Sequence, residues 1–291
     1  MTYRDFGTWL QGELGCKAQK LSVDAGFSCP NRDGTLSTGG CTFCNNQTFS
    51  PAYCRASESI TEQLERGKQF FARKYPSMRY LAYFQAYTNT YAPQPRLAEL
   101  YEEALRVPGV VGLVVSTRPD CVSDELLRYL SELNRRTFLI MEYGVESASD
   151  ETLQRIHRGH TFSQAADTIR RTAAEGIRVG AHIILGFPWE SHNELMRQAD
   201  EVALLPLTTL KLHQLQIIRG TALAEEYLRQ PWPMPSAEEY VRLVADYISH
   251  LPPTLVLERF VSQSPPDMVI APRWGLKNHE FAEILKKVEE T

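Results

Sequence analysis

The chain has 291 residues, 43% hydrophobic and 23% charged, which is enough apolar material for a sizeable core and excludes a disordered chain. Its 31 basic and 35 acidic side chains leave a formal charge of −4, which argues against a broad basic surface for wrapping nucleic acid and leaves room only for a local patch. No apolar run approaches the roughly 20 residues of a membrane span, and Met1–Gly15 has no signal-peptide core, so a soluble, cytoplasmic protein without a membrane partner is expected.

Strand-like and helix-like segments alternate along the chain. Gln19–Asp24 is the first predicted strand and runs into a loop rich in Gly, Asn and Thr. Ser59-x-x-Glu62 reads as a capping box and starts a helix with Ile60, Leu64 and Phe71 on one face. Tyr80–Phe84 follows as a strand, Pro95–Arg106 as a helix, Val110–Ser116 as a buried strand and Ser123–Leu133 as a helix. The rhythm continues with strand Thr137–Tyr143, a short helix, helix Ser163–Ala174 stopped by Gly176, and strand Ile177–Leu185. A second capping box, Ser191 with Glu194, opens the next helix, and Thr209–Ile217 is the sixth strand. After the proline-rich Gln230–Pro235, a helix from Ser236, a strand near Leu255–Phe260 and a helix around His279–Glu290 are expected. Strict alternation implies parallel strands with crossover helices, in one domain without a visible linker. In such folds the loops at the strands' C-terminal ends build the active site. Periodicity alone leaves a partial barrel and a doubly wound sheet both open.

Six cysteines, at 16, 29, 41, 44, 54 and 121, are too few for a disulfide-stapled fold. Cys29, Cys41 and Cys44 form a C-x11-C-x2-C motif on the Gly-rich loop after the first strand. Three thiolates there can converge on one metal centre and leave a coordination position open. An iron–sulfur cluster and a zinc ion are both admissible, with Cys54 or a histidine completing the zinc set. Cys16 and Cys121 read as small buried residues.

Further segments appear in order: Tyr83-Phe84-Gln85-Ala86-Tyr87-Thr88, Ser116-Thr117-Arg118-Pro119-Asp120, Glu142-Tyr143-Gly144-Val145-Glu146-Ser147, Arg158-Gly159-His160 and His182–Pro188. With the cysteine motif and its internal Phe43, this set resembles the radical S-adenosylmethionine (SAM) superfamily. Within it, the set is similar to the branch of the Elongator catalytic subunit and the oxygen-independent coproporphyrinogen oxidases, and more so to the bacterial YhcC-like group. The resemblance runs from about Leu21 to Trp274.

The resemblance implies an α/β fold, a partial TIM-type (β/α)6 barrel. A single domain over residues 1–291 is expected, with a core at about 19–218 and a short C-terminal extension, 219–291, closing the barrel. It implies a [4Fe–4S] cluster held by Cys29, Cys41 and Cys44, with SAM on the fourth iron, reductive cleavage to a 5′-deoxyadenosyl radical, and hydrogen abstraction from a substrate. By the same resemblance Phe43 packs near adenine, and Ala86 and Thr88 receive the SAM amino group, at Ala86 through backbone only. Ser116 stands where relatives are often acidic. Glu146 binds the ribose hydroxyls, Arg158 pairs with the SAM carboxylate, and His182 contacts ribose or adenine.

The residues also admit plainer readings, with Glu146 as a helix cap and Arg158 as a surface charge. Lys211 and His213 alternate with Leu210 and Leu212 and so face the inside of a barrel, where they are candidates for substrate contact; Arg219, just beyond the strand, is another. A flavodoxin or ferredoxin is the implied electron donor. The substrate is open between a small molecule and transfer RNA. Arg155, His157, Arg158 and His160, with Arg170, Arg171 and Arg178, form either an RNA-facing patch or ordinary solvated faces. Too little chain follows the sixth strand for the acetyltransferase domain of Elongator-type enzymes, so acetyl transfer is not expected. A zinc-stabilised RNA-binding protein and a non-catalytic iron–sulfur scaffold are the alternatives.

Overall fold

Side-chain caps fix the helix starts in the computed structural model, which describes residues 3–48, 50–72 and 78–289. Ser191 with Glu194 and Ser236 with Glu239 form reciprocal capping boxes, as does Thr161 with Gln164 two residues before the expected Ser163. In chain order the strands are β1 (Arg4–Asp5), β2 (Ala18–Val23), β3 (Arg79–Phe84), β4 (Val110–Thr117), β5 (Phe138–Glu146), β6 (Arg178–Leu185), β7 (Thr209–Gln214), β8 (Ile217–Ile218), β9 (Val256–Arg259) and β10 (Val269–Ala271). The helices are α1 (Phe6–Leu14), α2 (Ile60–Ala72), α3 (Gln94–Arg106), α4 (Asp124–Asn134), α5 (Asp150–Arg155), α6 (Phe162–Ala174), α7 (His192–Ala203), α8 (Ala222–Arg229), α9 (Ala237–Ser249) and α10 (Asn278–Glu289). Glu290, expected in the last helix, lies outside the described residues.

Eight parallel strands make one sheet in the order β1-β9-β7-β6-β5-β4-β3-β2. Strands β2 to β7 lie side by side in chain order, the (β/α)6 series expected; β9 and then β1 extend it beyond β7. The two end strands, β1 and β2, do not pair, so the sheet curls into an open half-barrel. Its outer face carries Leu21, Leu113, Leu139, Val179 and Leu210 against Leu97, Leu130, Ile169, Ala199 and Val244 of the helices. The expected sixth strand stops at Gln214, and Ile217–Ile218 turns away to pair antiparallel with β10.

Helix α1 has no counterpart in the expected elements. Asp5 caps it by accepting from the Thr8 amide, and Gly15, at φ 66°, ends it. Its Trp9 and Leu10 pack on Leu81, Tyr83, Val114, Ile140 and Val256, residues on the inner faces of β3, β4, β5 and β9. A short helix thus plugs the N-terminal end of the half-barrel. The opposite end, where the strand C-termini lie, remains for the site. Among the described residues no helix is long and apolar enough to cross a membrane.

Candidate active site

The loop between β2 and α2 is shaped by its backbone. The Cys29 carbonyl accepts from the amides of Arg32 (2.8 Å) and Asp33 (3.2 Å), and the Cys41 carbonyl from that of Cys44 (3.0 Å). Gly40 sits at φ 75°, and a β-carbon there would stand 3.0 Å from Arg32 Nε, so the turn requires glycine. Thr42 ties the loop down twice, donating to Ile156 O (3.0 Å) and accepting from the Leu223 amide (2.9 Å). Asn31 Nδ2 donates to His157 O (2.8 Å) and Arg158 O (3.1 Å).

Cys29, Cys41 and Cys44 all line one open cavity of about 1260 Å³, mouth included. The Cys41 sulfur accepts from Asn31 Nδ2 (3.4 Å) and Arg158 Nη1 (3.7 Å). N–H donors of this kind favour a thiolate and tune iron–sulfur clusters. Burial and the neighbouring Cys41 push the Cys44 thiol up to about 11, so bringing these sulfurs together as thiolates calls for positive charge between them. Among the described residues no three His, Cys, Asp or Glu side chains are grouped so as to hold a single metal ion. Cys16, Cys54 and Cys121 are half-buried rather than fully buried and stand off the cavity wall. Cys54 donates to Ser22 O at 2.9 Å instead.

Across from the cysteines, Arg158 and Glu146 meet at 3.7 Å. Arg158 is buried and donates through Nε and Nη2 to the Gly144 carbonyl (3.2 and 2.5 Å). Despite its burial, Cys41 and Glu146 raise its pKa, so the guanidinium is permanently charged. Neither residue is the plain cap or surface charge that the sequence also allowed. Glu146 is at φ 73°, Tyr87 at 62° and His157 at 54°. These non-glycine residues in left-handed backbone all sit at or beside the cavity, where such strain concentrates. A β-carbon on Gly144 would lie 2.5 Å from Glu146 Oε1 and 2.7 Å from Arg158 Nη2, so the pair closes over a bare backbone. Phe43, Thr88, Ser116 and His182 join this wall. Ala86 does not: it is buried beside the cavity, while Gln85, Tyr87 and Thr88 line it. Arg118, 2% exposed, lines the cavity too; Asp120 and Arg158 O take Nε and Nη2, and its buried Nη1 has no partner.

The cavity floor is a charge network that the sequence reading missed apart from Lys211 and His182. Lys20 Nζ lies 2.6 Å from both Glu142 and Glu258, and Lys211 Nζ lies 2.7 Å from Glu142, 3.3 Å from Glu258 and 3.0 Å from the Tyr83 hydroxyl. His182 Nε2 is 3.1 Å from Glu142. Burial opposes the Glu142 charge, but Lys20, Lys211 and His182 outweigh it and hold its pKa well below the usual carboxylate range. Glu142 and Glu146 share the inner face of β5 at a spacing of four, a signal present in the alternation of that strand.

The remaining wall belongs to β7, β9 and the segment after β9. His213 Nδ1 bonds Ser262 Oγ (2.8 Å), Gln214 Nε2 donates to Ser262 O (3.2 Å), and Ser264 donates to Gln216 Oε1 (2.7 Å). Arg259 completes this wall. Arg219, a candidate for substrate contact, is exposed and off the cavity; its Nε donates to Asp267 O (3.0 Å) because β8 turns that residue outward. The arginine and histidine run does not form one basic patch. Arg158 and His160 are buried, Arg155 meets Glu226 and stacks on Trp189, Arg171 holds Asp124 and Asp167, and Arg178 pairs with Glu13.

A parallel (β/α) half-barrel with a cysteine-lined cavity at the strands' C-terminal ends has its cavity where barrel enzymes build their active sites. Residues 34–202 match the family described as Radical SAM superfamily, and residues 207–290 match the Radical_SAM C-terminal domain. The chain is 35% identical over 285 residues to YtqA of Bacillus subtilis, covering 98% of this chain and 88% of that protein. It is 37% identical over 270 residues to YhcC of Escherichia coli, covering 92% and 86%. Its fold overlays that of the archaeal Elp3 of Methanocaldococcus infernus with a TM-score of 0.68 at 16% identity, covering 94% of this chain and 62% of that one. The chain belongs to the radical SAM superfamily, an enzyme family whose members bind a [4Fe–4S] cluster and SAM.

Proposed function

We propose that this chain cleaves SAM reductively at a [4Fe–4S] cluster held by Cys29, Cys41 and Cys44, and delivers the 5′-deoxyadenosyl radical to a substrate on the β7–β9 side of the same cavity. One observation carries the reading: the three cysteines open on a single cavity with Arg158 and Glu146, and Arg158 already donates to the Cys41 sulfur. When bound, the reduced cluster supplies one electron and SAM the sulfonium whose scission gives methionine and the radical.

The chain's part is to orient and to exclude water. Arg158 presents its fork to the SAM carboxylate, and Glu146 accepts from the ribose hydroxyls. Phe43 packs on the adenine. Thr88 and the backbone at Ala86 receive the amino group, and Ser116 offers a hydroxyl nearby. His182, with Nε2 committed to Glu142, turns its other nitrogen to ribose or adenine. Lys211 and His213 face the substrate. A flavodoxin or ferredoxin supplies the electron, in the cytoplasm, and 219–291 closes the open side of a core at about 19–218. A small molecule is favoured over transfer RNA, because Arg155, Arg171 and Arg178 each already hold a carboxylate.

The test is anaerobic reconstitution, followed by iron and sulfide analysis and assay of 5′-deoxyadenosine after dithionite reduction. About four irons per chain and deoxyadenosine that disappears in Cys41→Ala are expected. Zinc in place of iron, or a cluster that leaves SAM intact, overturns the proposal.

A further inference from the structure

Most cations around the cavity meet an anion, and Arg259 does not. Lys211 is neutralised within the Glu142–Glu258 network, Arg118 by Asp120, and Arg158 by Glu146 and the Cys41 sulfur. Arg32 has no carboxylate either, but its Nη2 is committed to the Cys44 carbonyl at 2.7 Å. Among the described residues the Arg259 side chain has neither ion pair nor hydrogen bond, yet it is half-buried and lines the cavity. A half-buried guanidinium without an anion is costly unless a ligand supplies one.

The backbone aims it there. Along β9, Val256 packs inward with Trp9, and Leu257 outward among the helices. Glu258 then points inward to Lys20 and Lys211. Strict alternation would send Arg259 outward, but the pairing with β7 slips by one residue: Leu210 faces Leu257, while Lys211 faces Arg259. The slip leaves consecutive residues on the inner face, as bulges beside active sites do. Ser262 is clamped by His213 and Gln214, and burial with the nearby His182, Arg259 and Lys211 keeps His213 neutral.

Taking the cavity as the radical SAM site proposed above, we propose that Arg259 receives a carboxylate of the substrate, so that the hydrogen donor is an organic acid. A guanidinium fork matches the two oxygens of a carboxylate, and one positive charge balances one negative. A phosphate monoester, with close to two negative charges, would call for a second uncommitted cation beside Arg259, and Arg32, the other guanidinium without a carboxylate, is held on the cysteine side by the Cys44 carbonyl.

The test is binding, which does not depend on turnover. Glutarate and inorganic phosphate are titrated separately into reconstituted wild type, Arg259→Gln, Arg259→Lys and Arg219→Gln, with and without saturating SAM, and followed by saturation-transfer NMR. Glutarate is expected to bind wild type and Arg219→Gln alike, about tenfold more weakly to Arg259→Gln and in between to Arg259→Lys, with SAM present. Equal glutarate binding by wild type and Arg259→Gln overturns the proposal. Tighter binding of phosphate than of glutarate, or loss of glutarate binding when SAM is added, overturns it too, the last by returning Arg259 to the SAM site. Because SAM cleavage is read separately as deoxyadenosine, failure here leaves the radical SAM reading standing, and the reverse also holds.

Discussion

The two walls of the cavity are held in different ways. The cysteine side is fixed by backbone: a glycine at positive φ, amide bonds to Cys29 and Cys41 carbonyls, and left-handed residues at Tyr87, Glu146 and His157. The β7–β9 side is fixed by side chains, with His213, Gln214 and Gln216 gripping Ser262 and Ser264 across a sequence separation of 48 or 49. Between them lies the floor, where Lys20, Glu142, Lys211 and Glu258 bind β2, β5, β7 and β9 together. A wall of rigid backbone suits a cofactor of fixed shape. A wall of side chains can change its ligand by a few substitutions without disturbing the first.

The sharpest way to break this division is at the floor both walls share. Glu142→Gln leaves two buried lysines with one carboxylate between them and should cost about 4 kcal/mol of stability, read by urea unfolding. A loss under about 1 kcal/mol would mean that the network is solvated rather than a strut. Trp9→Ala, at the plug, should cost about 3 kcal/mol and leave iron loading of the folded fraction intact, measured by calorimetry and metal analysis.

On the backbone-built wall, Arg158→Gln should weaken SAM binding by about tenfold or more, measured by equilibrium dialysis, since a charged pair is lost. Gly144→Ala should act in the same direction, because its β-carbon displaces both Glu146 and Arg158. The smallest effect belongs to the other wall. His213 is held neutral in the folded chain, its pKa well below the ordinary value, so the unfolded chain binds one more proton below about pH 6.5. Stability from this group is full above that pH and is lost as pH falls. His213→Gln should flatten the acid slope by up to about 1.4 kcal/mol per pH unit between pH 6 and 5.

The same division governs what could be read from the sequence. Strands β3 to β6 were legible as compact apolar runs between turns, β2 and β7 as polar–apolar alternation, and the capping boxes at Ser59, Ser191 and Ser236 fixed three helix starts. The cysteine motif was legible because its ligands lie on one short loop. Helix α1 was not: with Phe6, Trp9, Leu10 and Leu14 spread over nine residues, its pattern is too short to stand out, and only its docking into the barrel gives it a role. Ile217–Ile218 read as the end of a long strand, because nothing local shows where a chain leaves one sheet for another partner. Arg259 left no trace at all. Its direction follows from a register slip between strands far apart in the chain, and the alternation of β9 read alone points it the wrong way.

The proposed chemistry requires SAM to meet a cluster on Cys29, Cys41 and Cys44 beside Arg158. The most direct measurement is the electron paramagnetic resonance spectrum of the dithionite-reduced, reconstituted protein before and after addition of SAM. A reduced-cluster signal that shifts with SAM in wild type, and is missing from Cys41→Ala, is the predicted result. A cluster signal unchanged by saturating SAM would contradict the account.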